Sequence, residues 1–234
     1  MLIQSNIRQL SFADGTINHI YTDPPYLKSE LDCYRWLASE AARVLRPGGF
    51  VMAMVGGSYK NQILRYFDDA GLIFYWDYSF LMGGSRTGIV WKNPPTGNPQ
   101  RAAKPVVVRT KSILVYSKGA ALSRTCTHDL VDVLDSGQNW KAFHVWGQSV
   151  GVARYYLNCF TSDGDLVLDP FVGGGSTAIA CRLINRRFVG CDLNRSALRA
   201  SRDHINDAPV PMPYGSMFAN VNVSNGRKTF MEMP

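Results

Sequence analysis

The run Asp23-Pro24-Pro25-Tyr26 joins a carboxylate, two rigid carbonyls and a flat ring within four residues, just after a short β-rich run at 17–22. Successive prolines fix the backbone and have no N–H of their own, so the carbonyls of Asp23 and Pro24 remain free acceptors. Such a turn suits a planar substrate with an exocyclic amine. The amine donates one hydrogen to the carboxylate and one to a carbonyl, while the ring stacks on Tyr26. A rigid turn with a surface Asp and a packing Tyr would use the same residue types.

A second chemical feature lies far along the chain, in LVLDPFVGGGSTAIA at 166–180. Gly173, Gly175 and Ala178 satisfy the spacing G-x-G-x-x-G/A, and Asp192 ends the next predicted strand. Glycines let the backbone approach a ligand closely, and the following helix offers unpaired N–H groups. A carboxylate ending the next strand can accept hydrogen bonds from both hydroxyls of a ribose. No lysine follows the glycines, which argues against a phosphate-binding P-loop. The loop alone leaves a nicotinamide-dependent dehydrogenase open. Only one strand–helix pair follows it, however, so the sheet must be completed by the preceding chain, an unusual order for a dehydrogenase.

The elements that position these two loops alternate as in an α/β fold with a mainly parallel sheet. Strands are predicted at 17–22, 50–55, 72–81, 112–116, 166–169 and 187–191, and helices at 31–45, 59–70, 152–160, 176–184 and 195–206. Arg46-Pro47-Gly48-Gly49 reads as a stop signal. The stretches 83–105 and 118–148 read as irregular, and the last 26 residues show no clear period.

Composition narrows the class. In 234 residues, 46% hydrophobic and 18% charged content excludes a disordered chain or a coiled coil. No apolar run reaches the roughly 18 residues that span a membrane, and MLIQSNIRQL lacks a signal-peptide core. Cysteines 33, 126, 159, 181 and 191 form no C-x-x-C pair and the four histidines have no metal spacing, so reduced thiols, a cytoplasmic setting and no metal are expected. The net charge of +7 is local: between Tyr78 and His128 there are eight basic residues and no acidic one. The rest of the chain holds 17 basic and 18 acidic residues. A one-signed segment suggests a surface for a polyanion, or a solvated loop.

Together, Asp23-Pro24-Pro25-Tyr26 and Asp169-Pro170-Phe171-x-Gly173-x-Gly175-Ser176-Thr177 resemble the AdoMet-dependent DNA amino-methyltransferases. With the catalytic tetrapeptide first and the cofactor loop late, the order is similar to their beta class. RVLRPGGFV (43–51), GIVWKNP (88–94) and HVWGQS (144–149) resemble further family segments, and the likeness runs over 1–206. It implies a doubly wound, mostly parallel seven-strand sheet in circularly permuted order. The implied division is a catalytic half at 1–83, a basic recognition insertion at 84–147, an AdoMet-binding half at 148–208 and a tail at 209–234.

The resemblance also implies roles. Asp23, Pro24, Pro25 and Tyr26 would hold a flipped-out base for direct methyl transfer to its amine. Asp169, Pro170, Phe171, Gly173, Gly175, Ser176, Thr177 and Asp192 would bind S-adenosyl-L-methionine. Asn6, where the family often has an acidic residue, and Gln148 and Ser149, where a lysine–proline pair is common, would add cofactor contacts. Arg86, Lys92, Arg101, Lys104, Arg109 and Lys111 would face double-stranded DNA, and the small recognition region suits a homodimer. Aspartate at the first motif position leans to adenine N6, with cytosine N4 and then RNA as alternatives.

Overall fold

A computed structural model of the chain describes residues 1–81, 110–119, 130–135 and 149–208. Arg86, Lys92, Arg101, Lys104, Arg109, Cys126, Gln148 and the tail at 209–234 lie outside the described residues.

Alternating apolar positions build the strands. In the strand β3 (Leu45–Val55), Val51, Ala53 and Val55 point into one core, and Phe50, Met52 and Met54 into the other. Both sets are buried, as expected where helices cover both faces of a parallel sheet. The helices α1 (Asp32–Val44) and α2 (Lys60–Asp69) cover the first face, with Tyr34, Leu37, Ala41, Ile63 and Phe67 inward. The second face is covered by α3 (Val150–Phe160) and α4 (Ser176–Leu183), with α5 (Arg195–Asp207) packed beside them. Ser149 caps α3, its Oγ accepting from the Val152 amide at 3.3 Å.

The remaining strands are β1 (Leu2–Gln4), β2 (Ile17–Thr22), β4 (Ile73–Leu81), β5 (Thr110–Ser117), β6 (Val133–Asp135), β7 (Leu166–Asp169) and β8 (Arg187–Asp192). They form one sheet in the order β1-β8-β7-β2-β3-β5-β4-β6. All pairs are parallel except β3–β5 and β5–β4, where β5 runs the other way. The chain leaves β2 through α1 toward β3, and leaves β7 through α4 toward β8 on the opposite side. β2 and β7 are neighbours, so the loops after them part from each other and open a crevice at their carboxyl ends.

The described sheet has eight strands where the resemblance implies seven. β1 and β6 have three residues each, too short to show a period, and both are recruited by pairing with strands far away in sequence. β3 also starts earlier than predicted. The helix does stop at Val44, just before Arg46-Pro47-Gly48-Gly49, as the stop signal predicts. Between Ile17↔Leu45 and His19↔Phe50 the strand then carries three more residues than β2, so the same four residues also form an irregularity in it, with Gly48 at φ +77°. Leu81 and Thr110 are register partners, so the end of β4 and the start of β5 lie side by side.

Candidate active site

The crevice is tied together at its base by one carboxylate. Asp169 ends β7, is 3% exposed, and accepts from three donors. Its Oδ1 takes Thr22 Oγ1 at 2.7 Å and the Phe171 amide at 3.1 Å, and its Oδ2 takes Thr177 Oγ1 at 2.6 Å. Burial pushes this carboxyl up to about 6, against the pull of those donors. One side chain thus joins the end of β2, the turn after β7 and the first turn of α4.

Thr22 leads directly into Asp23-Pro24-Pro25-Tyr26. Asp23 faces inward with a side chain 19% exposed, and its Oδ2 accepts from Lys111 Nζ at 2.8 Å. Burial raises the Asp23 carboxyl, and the Lys111 ammonium offsets part of that rise. The same ammonium lies 4.6 Å from the centre of the Tyr26 ring, which is 38% exposed. Beneath the turn, the buried Tyr34 hydroxyl reaches the Met54 carbonyl at 2.9 Å and the Pro24 carbonyl at 3.4 Å, linking α1 to the turn and to β3.

The glycine loop faces this turn across a cavity of about 560 Å³, whose lining includes Tyr21, Asp23, Tyr26, Phe171, Gly173 and Thr177. Gly173 and Gly175 take φ of +47° and +84°, which only glycine adopts readily. α5 braces the loop from behind: Ser201 Oγ donates to the Gly173 carbonyl at 2.5 Å, and His204 Nδ1 lies 2.9 Å from the Gly174 carbonyl. Pro25 and Phe171 also line a second cavity of about 300 Å³, with Asn6, Trp36, Pro170 and Asp192. Asp192 accepts the Gly173 amide on Oδ2 at 3.1 Å and the Asn194 amide on Oδ1 at 2.8 Å. A carboxylate oxygen carries two acceptor positions, so each still has one to offer. A carboxylate flanked by an apolar wall and a side-chain-free loop fits a ribose with a flat base beside it.

The structure therefore brings together most of the residues singled out in the sequence. The tetrapeptide, Asp169, Phe171, Gly173, Ser176 and Thr177 line one cavity, while Asn6, Pro170 and Asp192 line the adjoining one. Asn6 arrives there because β1 pairs with β8, and its Oδ1 also caps the turn at 7–9 by accepting from the Arg8 amide at 3.0 Å. Ser149 is engaged as the cap of α3 and is not among the residues lining either cavity. Lys111, expected on DNA, has its ammonium on Asp23. Since β5 runs antiparallel to β3, its first residues lie where β2 and β3 end. Thr22 and Tyr34 were missed as parts of the site. Adjacency to Asp23 is a signal for Thr22, whereas Tyr34 reads only as one more apolar-face position of a helix. Among the described residues, no three His, Cys, Asp or Glu side chains gather to hold a metal. No described helix is long and apolar enough to cross a membrane.

A doubly wound sheet with a glycine loop facing a carboxylate-bearing turn at its switch point defines the class: an α/β protein of the nucleotide-cofactor-binding type. The chain belongs to the N6/N4 DNA methylase family, whose model matches residues 17–203. That match sets aside the dehydrogenase reading of the glycine loop. The chain is 25% identical over 223 residues to the Type II methyltransferase M.HpaI of Haemophilus parainfluenzae, covering 82% of this chain and 69% of that protein. Its fold is similar to that of PvuII DNA methyltransferase, described as cytosine-N4-specific, with a TM-score of 0.69 at 15% identity over 90% of this chain and 93% of that one. It is also similar to M1.HpyAVI, solved as a complex with SAM, with a TM-score of 0.67 at 18% identity over 88% of this chain and 98% of that one. At such identities the two structures speak for the fold.

Proposed function

We propose that this DNA methylase transfers a methyl group from S-adenosyl-L-methionine to the exocyclic N6 amine of an adenine extruded from duplex DNA. The observation that carries the reading is the shared cavity of about 560 Å³, which sets the carboxylate of Asp23 and the ring of Tyr26 opposite the glycine loop. The chemistry of the lining fits the donor. Phe171, Gly173 and Thr177 would hold its amino-acid end and Asp192 its ribose, with Asn6 and Pro170 beside the adenine. When bound, S-adenosyl-L-methionine supplies an electrophilic methyl carbon on a sulfonium.

The chain's own residues supply position and charge. Asp23 accepts one hydrogen of the target amine and the Pro24 carbonyl accepts the other, which turns the nitrogen lone pair toward the cavity. The carboxylate also stabilises the positive charge that grows on that nitrogen and is the nearest base for its proton. Tyr26 stacks on the base, whose extrusion from a duplex costs a few kcal/mol. Phe171 and Pro25, which line both cavities, stand where the two meet.

The adenine assignment rests on the carboxylate at Asp23; methylation of cytosine N4, the specificity of the PvuII enzyme, is the second reading. Expression in a host without DNA methylation, followed by mass spectrometry of its nucleosides, separates them. N6-methyladenine is expected. N4-methylcytosine would transfer the assignment to cytosine, and unmodified DNA beside methylated RNA would overturn the DNA substrate. Asp192→Ala is expected to weaken S-adenosyl-L-methionine binding by roughly 10–100-fold, the loss of hydrogen bonds to a charged acceptor. Calorimetry showing an unchanged Kd would remove Asp192 from the cofactor site.

A further inference from the structure

Lys111 makes the two contacts that the proposed function reserves for the target. Its ammonium donates to Asp23 Oδ2 at 2.8 Å, where the exocyclic amine would donate. It also stands 4.6 Å from the centre of the Tyr26 ring. Stacked aromatic rings lie with centroids roughly 4.5–7 Å apart, so this nitrogen occupies space that a base on Tyr26 would fill. The pair is sheltered, with side chains 11% and 19% exposed, and is not a loose surface contact.

We infer that Lys111 is a positioning residue that holds the carboxylate of Asp23 and the face of Tyr26 until the target base enters and its amine displaces the ammonium. The inference rests on the reading of the Asp23 turn as the target-amine site. A buried carboxyl tends to take up a proton, and a protonated Asp23 would donate to the amine instead of accepting from it. The groups that face Asp23 do not prevent this: Asp169, from β7, repels it, and Tyr21 of β2 and Tyr34 of α1 are neutral hydroxyls pushed upward by their burial. Lys111, from β5, supplies the opposing positive charge. A lysine suits the task because its single ammonium sits on a flexible stem and can withdraw, whereas a forked guanidinium would grip the carboxylate. On DNA, the released charge meets a polyanion, which offsets part of the cost of breaking the pair.

The test is the pH dependence of methyl transfer in wild type, Lys111→Met and Lys111→Arg. The acidic limb of kcat/KM reports groups in the free enzyme, and that of kcat reports groups in the bound complex. Asp23 works as a carboxylate, so losing the ammonium raises its pKa and moves the limb to higher pH. Lys111→Met is expected to shift the limb of kcat/KM upward by about one unit or more, a roughly tenfold loss below the limb. The limb of kcat should stay in place because Lys111 has already left in the complex, and Lys111→Arg should restore the kcat/KM limb. An unmoved kcat/KM limb overturns the inference, and so does an equal shift in kcat, which would keep Lys111 in the complex. Lys111→Gln carries the same prediction if the methionine variant does not fold. A wild type without DNA methylation, or an active Asp23→Ala, would instead sink the reading of the site itself.

Discussion

Replacing Asp23 with alanine is expected to lower the rate of methyl transfer by on the order of 10²–10³-fold, the scale seen when a preorganised charge-stabilising group is removed. Affinity for S-adenosyl-L-methionine should stay within about twofold, because the residues assigned to it sit on the other side of the cavity. Single-turnover transfer to labelled DNA measures the first quantity and calorimetry the second. The variant should also lose some thermal stability, since the sheltered ammonium of Lys111 is left without its carboxylate. Combining it with Lys111→Met should recover that stability without recovering transfer. An alanine variant that methylates at the wild-type rate would remove Asp23 from the mechanism.

Asp169→Ala is expected to behave differently, failing in stability, cofactor binding and transfer together. The substitution strands two buried donors, Thr22 Oγ1 and Thr177 Oγ1, and one part-buried donor, the Phe171 amide. Each buried donor left unpaired costs about 1–3 kcal/mol, so a loss of about 3–5 kcal/mol is expected in denaturant unfolding. Both loops rest on this carboxylate, so both drift when it is gone. Asparagine keeps one acceptor oxygen for Thr22 and Phe171 and should fall between alanine and wild type. A variant as stable as wild type would show that the loops are positioned by packing alone.

The two variants together separate a group that touches the substrate from one that holds the site in shape. That distinction also explains what the chain disclosed as a sequence. The tetrapeptide and the glycine loop are legible because their chemistry is local: prolines, glycines and a carboxylate act through neighbours a few residues away. The alternation of elements gave the helix positions and six strands because each of those elements has an amphipathic or apolar rhythm of its own. β1 and β6, with three residues each, have none. Long-range pairings are silent for another reason. Thr22 meets Asp169 across 147 residues and Lys111 meets Asp23 across 88, and each meeting depends on strand order. One-signed charge suggested DNA for Lys111, but the antiparallel course of β5 decided where its ammonium went.

The pairing of Leu81 with Thr110 bears on how much change in length the sheet tolerates between these two strands. The end of β4 and the start of β5 sit on one rung of an antiparallel pair, so the pairing itself does not depend on how many residues lie between them. Loop closure grows slowly with length, by about 0.6 kcal/mol for each doubling. A change in the number of residues between these two positions therefore costs the β4–β5 pairing little, and the strands that carry Asp23 and Lys111 keep their register.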